Sequence, residues 1–206
     1  AEEGPMAKMD RYAPDISKLY HYKRDLILGE GGTGRVYRGI DTKRGEAVAV
    51  KLFHEAFFRN KLHVRDLAKC VKRFRKFHHQ NVVKIYEFID GPEGRCMAME
   101  FVDGPNLTWY LENRPFNLQE RLTICAQICN GLQYLHDQKT VHHDFKPANV
   151  LFTQRGLVKL ADYSLYGSSF LIELFDQGAG QQVTPKYVAP EFLRKETITH
   201  ASDQYS

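Results

Sequence analysis

Cysteine is scarce in this chain: four in 206 residues, with no C-x-x-C pair. That excludes a disulfide framework and favours a reducing compartment, read here as the cytoplasm. Long apolar runs are missing too. No stretch approaches the ~18 residues that span a bilayer. The N-terminal AEEGPMAKMD has no apolar core and does not read as a signal peptide. Charge of one sign is also lacking: 29 Lys+Arg against 25 Asp+Glu leaves a net +4. So slight an excess demands neither nucleic acid nor a membrane as partner. No internal repeat or low-complexity tract is visible. What remains is 43% hydrophobic and 26% charged, the composition of a chain with a sizeable core.

Residues 1–20 are aperiodic and read as an N-terminal extension. From Leu26 the texture changes. Leu26-Ile27-Leu28 reads as a strand running into glycines, Arg35 to Ile40 as a second, and Glu46 to Phe53 as a third. The turn between the last two is Asp41-Thr42-Lys43-Arg44-Gly45. A basic helix is expected over Leu62 to Phe77, with Leu67, Val71, Phe74 and Phe77 on one face. Two more strands are expected at Asn81–Ile89 and Arg95–Val102. Asn117 and Glu120 then form a capping-box-like helix start. Leu118, Leu122, Cys125, Cys129 and Leu132 mark the apolar face of that helix, which places both thiols in a core. The expectation is an α+β, bilobal fold: a first lobe over 21–102, an antiparallel sheet plus one helix, and a partly complete helical lobe over 103–206.

Gly29-Glu30-Gly31-Gly32-Thr33-Gly34 fits G-x-G-x-x-G. A dinucleotide fingerprint should open a helix, whereas this one opens a second strand. Glycines here let backbone N–H groups close over phosphates without side-chain clash. Lys51 ends the apolar strand Ala47-Val48-Ala49-Val50, from which an ammonium could reach triphosphate oxygens. The most specific stretch is Val141-His142-His143-Asp144-Phe145-Lys146-Pro147-Ala148-Asn149, followed later by Ala161-Asp162-Tyr163-Ser164. Asp144 can accept a proton from an attacking hydroxyl. Lys146 can stabilise a phosphoryl group in flight. Asn149 and Asp162 offer hard oxygens to Mg²⁺.

Taken in order, the glycine loop, strand lysine, catalytic loop, metal-type Asp and Ala189-Pro190-Glu191 resemble a eukaryotic-type protein kinase domain over residues 22–206. Lys146 and Thr184-Pro185-Lys186-Tyr187 resemble the serine/threonine branch. The wording of Ser202-Asp203-Gln204-Tyr205-Ser206 is similar to bacterial members. The resemblance implies Mg-ATP as phosphoryl donor and Ser/Thr hydroxyls of proteins as acceptors. Asp144, Lys146 and Lys51 would then be catalytic. Leu28, Gly29, Gly31, Gly34, Val36, Ala49, Lys51, Met99, Glu100, Val102, Asn149, Leu151 and Asp162 would bind the nucleotide, with Asn149 and Asp162 on the metal. Leu28, Val36, Ala49 and Leu151 would sandwich the adenine, Glu100 to Val102 would be the hinge, and Met99 the gatekeeper. Phe74, Ile85, Tyr163 and His142 would stack in one internal column, and Asp203 would bond the catalytic-loop backbone.

The sequence also departs from that pattern. Cys70 stands where the helix should carry a glutamate for Lys51, and the nearest acid is Asp66, one turn away. His143 replaces the usual Arg before Asp144, and Tyr163-Ser164 replaces Phe-Gly. Val183 stands where Gly often precedes Thr184, and Ser168 and Ser169 are candidate phosphoacceptors. His78-His79 and His142-His143 lack zinc-ligand spacing, and the basic run Lys69 to Lys76 reads as a solvated face. These departures keep a second reading open, a pseudokinase that binds ATP or scaffolds without transfer. A small-molecule kinase is a third, opposed by Lys146-Pro147 and Ala189-Pro190-Glu191. Domains of the resembled family run to roughly 250–300 residues, so the ending at Ser206 is read as a fragment boundary. A membrane anchor beyond residue 206 stays open, and nothing in the sequence speaks to the oligomeric state.

Overall fold

A computed structural model describes residues 22–58, 61–91, 94–163 and 185–206. Ser164, Ser168, Ser169, Val183 and Thr184 lie outside the described residues. Five strands form one antiparallel sheet in the order β1-β2-β3-β5-β4. They are β1 (Tyr22–Gly31), β2 (Gly34–Asp41), β3 (Glu46–Phe53), β4 (Ile85–Gly91) and β5 (Gly94–Glu100). The alternation in β3 sets the two faces. Val48, Val50 and Leu52 pack with Tyr37, Ile89, Cys96 and Ala98 on one side. Ala49 and Phe53 face the other side, with Met97 and Met99. Helix α1 (Lys61–Phe74) covers that second side, burying Leu67, Val71 and Phe74 at helical spacing. It ends earlier than the apolar pattern suggests. Phe77 is nevertheless buried, because its N–H bonds Phe74 O at 2.9 Å and turns the chain back onto the core.

β4 likewise starts later than expected. Residues 81–83 are diverted to the second lobe: Val83 N–H bonds Leu160 O, and Leu160 N–H bonds Asn81 O, both at 2.9 Å. The buried Asn81 amide adds a bond to Val158 O at 2.9 Å.

The second lobe holds α2 (Leu107–Asn113), α3 (Leu118–Asp137), the hairpin β6 (Val150–Phe152) and β7 (Val158–Leu160), and the short helices α4 (Pro190–Leu193) and α5 (His200–Tyr205). Asn117 and Glu120 close a reciprocal capping box at the start of α3, both bonds being 2.9 Å. Gly131 is required where α3 crosses β7, since a Cβ would stand 2.8 Å from Asn81 O. The expected apolar face of α3 is corrected here. Leu118 is 73% exposed, Leu122 57%, and Cys125 and Cys129 are both exposed. The packed side carries Ile124, Ile128, Gly131 and Leu135 instead, and of the expected face only Leu132 is buried with them. Both stripes recur at helical spacing, but only the second faces β7. No helix among the described residues is long and apolar enough to cross a membrane.

Candidate active site

Between sheet and helices lies a cleft of about 730 Å³. Every site residue named from the sequence lines it: Leu28, Gly29, Gly31, Gly34, Val36, Ala49, Lys51, Met99, Glu100, Val102, Asp144, Lys146, Asn149, Leu151 and Asp162. The sheet register explains the upper wall. Val36 pairs with Lys51, and Ala49 with Met99, so their side chains share the cleft face. The β1–β2 glycines serve two purposes. A Cβ on Gly34 would meet Leu52 O at 2.2 Å, so only glycine lets β2 lie this close to β3. Among the described residues no atom lies within 4 Å of a Cβ position on Gly29 or Gly31, leaving space above the cleft for a ligand to approach backbone N–H groups. Arg35 and Glu30 bridge the hairpin at 2.8 Å.

Lys51 is 3% exposed, and its Nζ lies 2.9 Å from Asp162 Oδ2. Asp66 is exposed, 3.4 Å from Lys69. Cys70 is half-buried among apolar neighbours, and burial raises its thiol pKa. Asp162 sits in the left-handed region at φ 57, and its Oδ1 is buried with no hydrogen-bond partner among the described residues. An orphaned carboxylate oxygen beside a cleft is costly unless a cation or donor meets it.

The Asp144 carboxylate is held on both oxygens. Lys146 Nζ lies 2.8 Å from Oδ1, and Asn149 Nδ2 donates to Oδ2 at 2.9 Å. Asn149 Nδ2 also donates to the Asp144 carbonyl at 2.7 Å, leaving its own side-chain oxygen for another partner. The loop itself is fixed from below. Asp203 accepts from His142 N–H at 2.7 Å and His143 N–H at 3.0 Å, and lies 2.8 Å from His136 Nε2. Burial drives the pKa of His143 down to about 4 and lowers that of His142. His143 Nδ1 has no hydrogen-bond partner among the described residues.

Phe74, Tyr163 and His142 meet edge to face in sequence, with centroids 5.3 and 6.4 Å apart, and Ile85 is buried in the same cluster as Phe74 and Tyr163. Glu100 at the hinge is held by Lys159 Nζ at 2.6 Å and by Lys84 N–H at 3.0 Å. His79 stacks on Tyr134 at 4.8 Å and accepts from Asn81 N–H, which accounts for it structurally. Among the described residues no group of three or more His, Cys, Asp or Glu is placed to hold a metal by itself. Asn106, Trp109, Tyr187 and Phe192 also line the cleft. Tyr187 lies in the Thr184-Pro185-Lys186-Tyr187 stretch noted in the sequence, whereas nothing in the local sequence marked Asn106 or Trp109. Glu191 accepts from the Ser202 hydroxyl, a bond that lowers its pKa.

A family model described as protein kinase domain matches residues 22–206. The chain belongs to the protein kinase family. It is 34% identical over 207 residues to cytokinesis protein sepH of Emericella nidulans, covering 97% of this chain and 15% of that protein. It is 32% identical over 214 residues to serine/threonine-protein kinase dkf-2 of Caenorhabditis briggsae, covering 100% of this chain and 17% of that one. This kinase-family chain thus spans under a fifth of either relative. The fold is that of the Mycobacterium tuberculosis PknI kinase domain, with TM-score 0.72 and 22% identity over 90% of this chain and 70% of that one.

Proposed function

We propose that the domain transfers the γ-phosphoryl group of Mg-ATP to Ser or Thr hydroxyls of protein substrates. One observation carries this reading: Lys51, Asp144, Lys146, Asn149 and Asp162 converge on one cleft beneath an open glycine hairpin. The residues fit the absent groups. The space over Gly29 and Gly31 suits phosphates, and the orphaned Asp162 Oδ1 with the Asn149 side-chain oxygen suits a hard cation. When bound, Mg-ATP supplies a phosphoryl group that leaves ADP and joins the hydroxyl oxygen.

The chain's own residues do the rest. Leu28, Val36, Ala49 and Leu151 give an apolar slot for a base, with Met99 behind it and the Glu100–Val102 backbone along its edge. Asp144, oriented by Lys146 and Asn149, accepts the hydroxyl proton. Lys146 and Lys51 oppose the negative charge of the reacting phosphoryl group. The serine/threonine preference rests on Lys146 and on relatives that carry that name. A cytoplasmic setting fits four free thiols.

The apolar setting of Cys70 favours a second reading, nucleotide binding without transfer. Radiolabel transfer from Mg-ATP to a generic protein acceptor separates the two. The wild type should incorporate label on Ser or Thr, and Asp144→Asn should lose it. Nucleotide binding without incorporation by the wild type would establish the second reading instead.

A further inference from the structure

Arg73 occupies the last turn of α1, next to Phe74. Three acceptors share the two N–H groups of its Nη2: Gln138 O and Lys139 O, both at 3.1 Å, and the Thr140 hydroxyl. These acceptors follow the C-terminus of α3, where helix carbonyls lack intrahelical donors and the dipole favours a cation. The guanidinium also lies over Phe74 and Phe77, 5.6 and 5.8 Å from their ring centroids. The planar guanidinium can lie over two rings while one of its nitrogens reaches the acceptors beyond α3.

The position matters because of what lies on either side. Thr140 is 2% exposed, and its N–H is bonded to Leu135 O at 2.9 Å. From it the chain runs directly to His142, His143 and Asp144. On the other side, Phe74 meets Tyr163, which follows Asp162. One turn of α1 therefore touches the segment that leads to Asp144 and the segment that carries Asp162.

We propose that Arg73 is a positioning residue, a tether between α1 and the catalytic loop that sets Asp144 relative to Asp162. The catalytic half of this inference rests on the phosphoryl-transfer reading; the tether itself does not. A misplacement of about 1 Å at a reacting group can lower turnover by orders of magnitude, so a distal tether can act on rate without touching substrate.

The test compares Arg73→Ala, Arg73→Lys and the wild-type chain. Steady-state transfer gives kcat and the KM for ATP. Amide hydrogen exchange over residues 138–149 is followed well below the melting temperature. Arg73→Ala should lower kcat about tenfold and leave KM within about twofold, the signature of a lost positioning contact. Exchange over 138–149 should quicken. Arg73→Lys, which keeps the cation, should recover part of both and guards against a misfolded alanine variant. Unchanged exchange in that segment, or a lower melting temperature with kcat intact, overturns the proposal. A raised KM with unchanged kcat overturns it as well. A wild type with no turnover would sink the transfer reading, and exchange alone would then decide whether the tether exists.

Discussion

The Tyr163 hydroxyl donates to the Val83 carbonyl at 3.0 Å. Tyrosine fills the slot that phenylalanine holds in the resembled pattern, and its extra polar atom finds an acceptor inside the core. Burial strongly raises its pKa, so it stays a neutral donor. Tyr163→Phe should cost about 1 kcal/mol, the net value of one buried hydrogen bond. Tyr163→Ala should cost about 3–5 kcal/mol through the cavity it leaves. Chemical denaturation midpoints of the two variants check both figures.

Asp203 serves two loop amides and one imidazole. Asp203→Ala strands the His142 and His143 N–H groups, each at about 1–3 kcal/mol. A loss of several kcal/mol and of transfer activity is expected. Asp203→Asn keeps only one side-chain oxygen and should fall between. Thermal melts and the labelling assay read the two effects separately.

Acid should destabilise the fold through His143. Its native pKa is about 4, against 6.5 for the exposed side chain, with burial the first cause. Between those values the unfolded chain binds the extra proton, so stability falls as pH drops from about 6.5 towards 4. One such group contributes at most about 1.4 kcal/mol per pH unit. His142 shifts the same way and adds to the slope. His143→Asn should shallow that slope, since asparagine tolerates the φ of 70 found there. Urea unfolding at a series of pH values tests this.

Cys70→Glu should raise turnover. The wild-type thiol cannot orient Lys51 as a carboxylate would, and about 1.4 kcal/mol of orientation is tenfold in rate. Equal kcat in variant and wild type would show that the substitution at this position does not limit the enzyme.

Much of this architecture was legible in the sequence for a physical reason. Glycines between alternating apolar segments fix a hairpin locally, and β1 to β3 need little else. The ordered set from Gly29 to Asp162 placed the cleft residues through its resemblance to the kinase pattern, and the sheet register then puts Val36, Ala49 and Lys51 on the cleft face of mid-strand positions. The choice between two apolar stripes on α3 was not legible. Ile124 and Leu122 are equally apolar, and only β7 decides which side is covered. Helix α2 has 7 residues, too few for a period to stand out. β6 and β7 have 3 residues each and exist through pairing with each other. The contacts of Arg73 join residues remote in sequence, so no window of the chain could reveal them.

The hydrogen bonds from residues 81–83 to β7 carry a mechanical consequence. The sheet joins the helices along the chain at 100–104, and these bonds fasten it a second time, by way of Asn81 and Val83. The Lys51–Asp162 and Lys159–Glu100 ion pairs and the Arg73 contacts join the same two bodies at further points. Widening the cleft should therefore break polar contacts in a set order, the exposed ones first and the Asn81 bonds last.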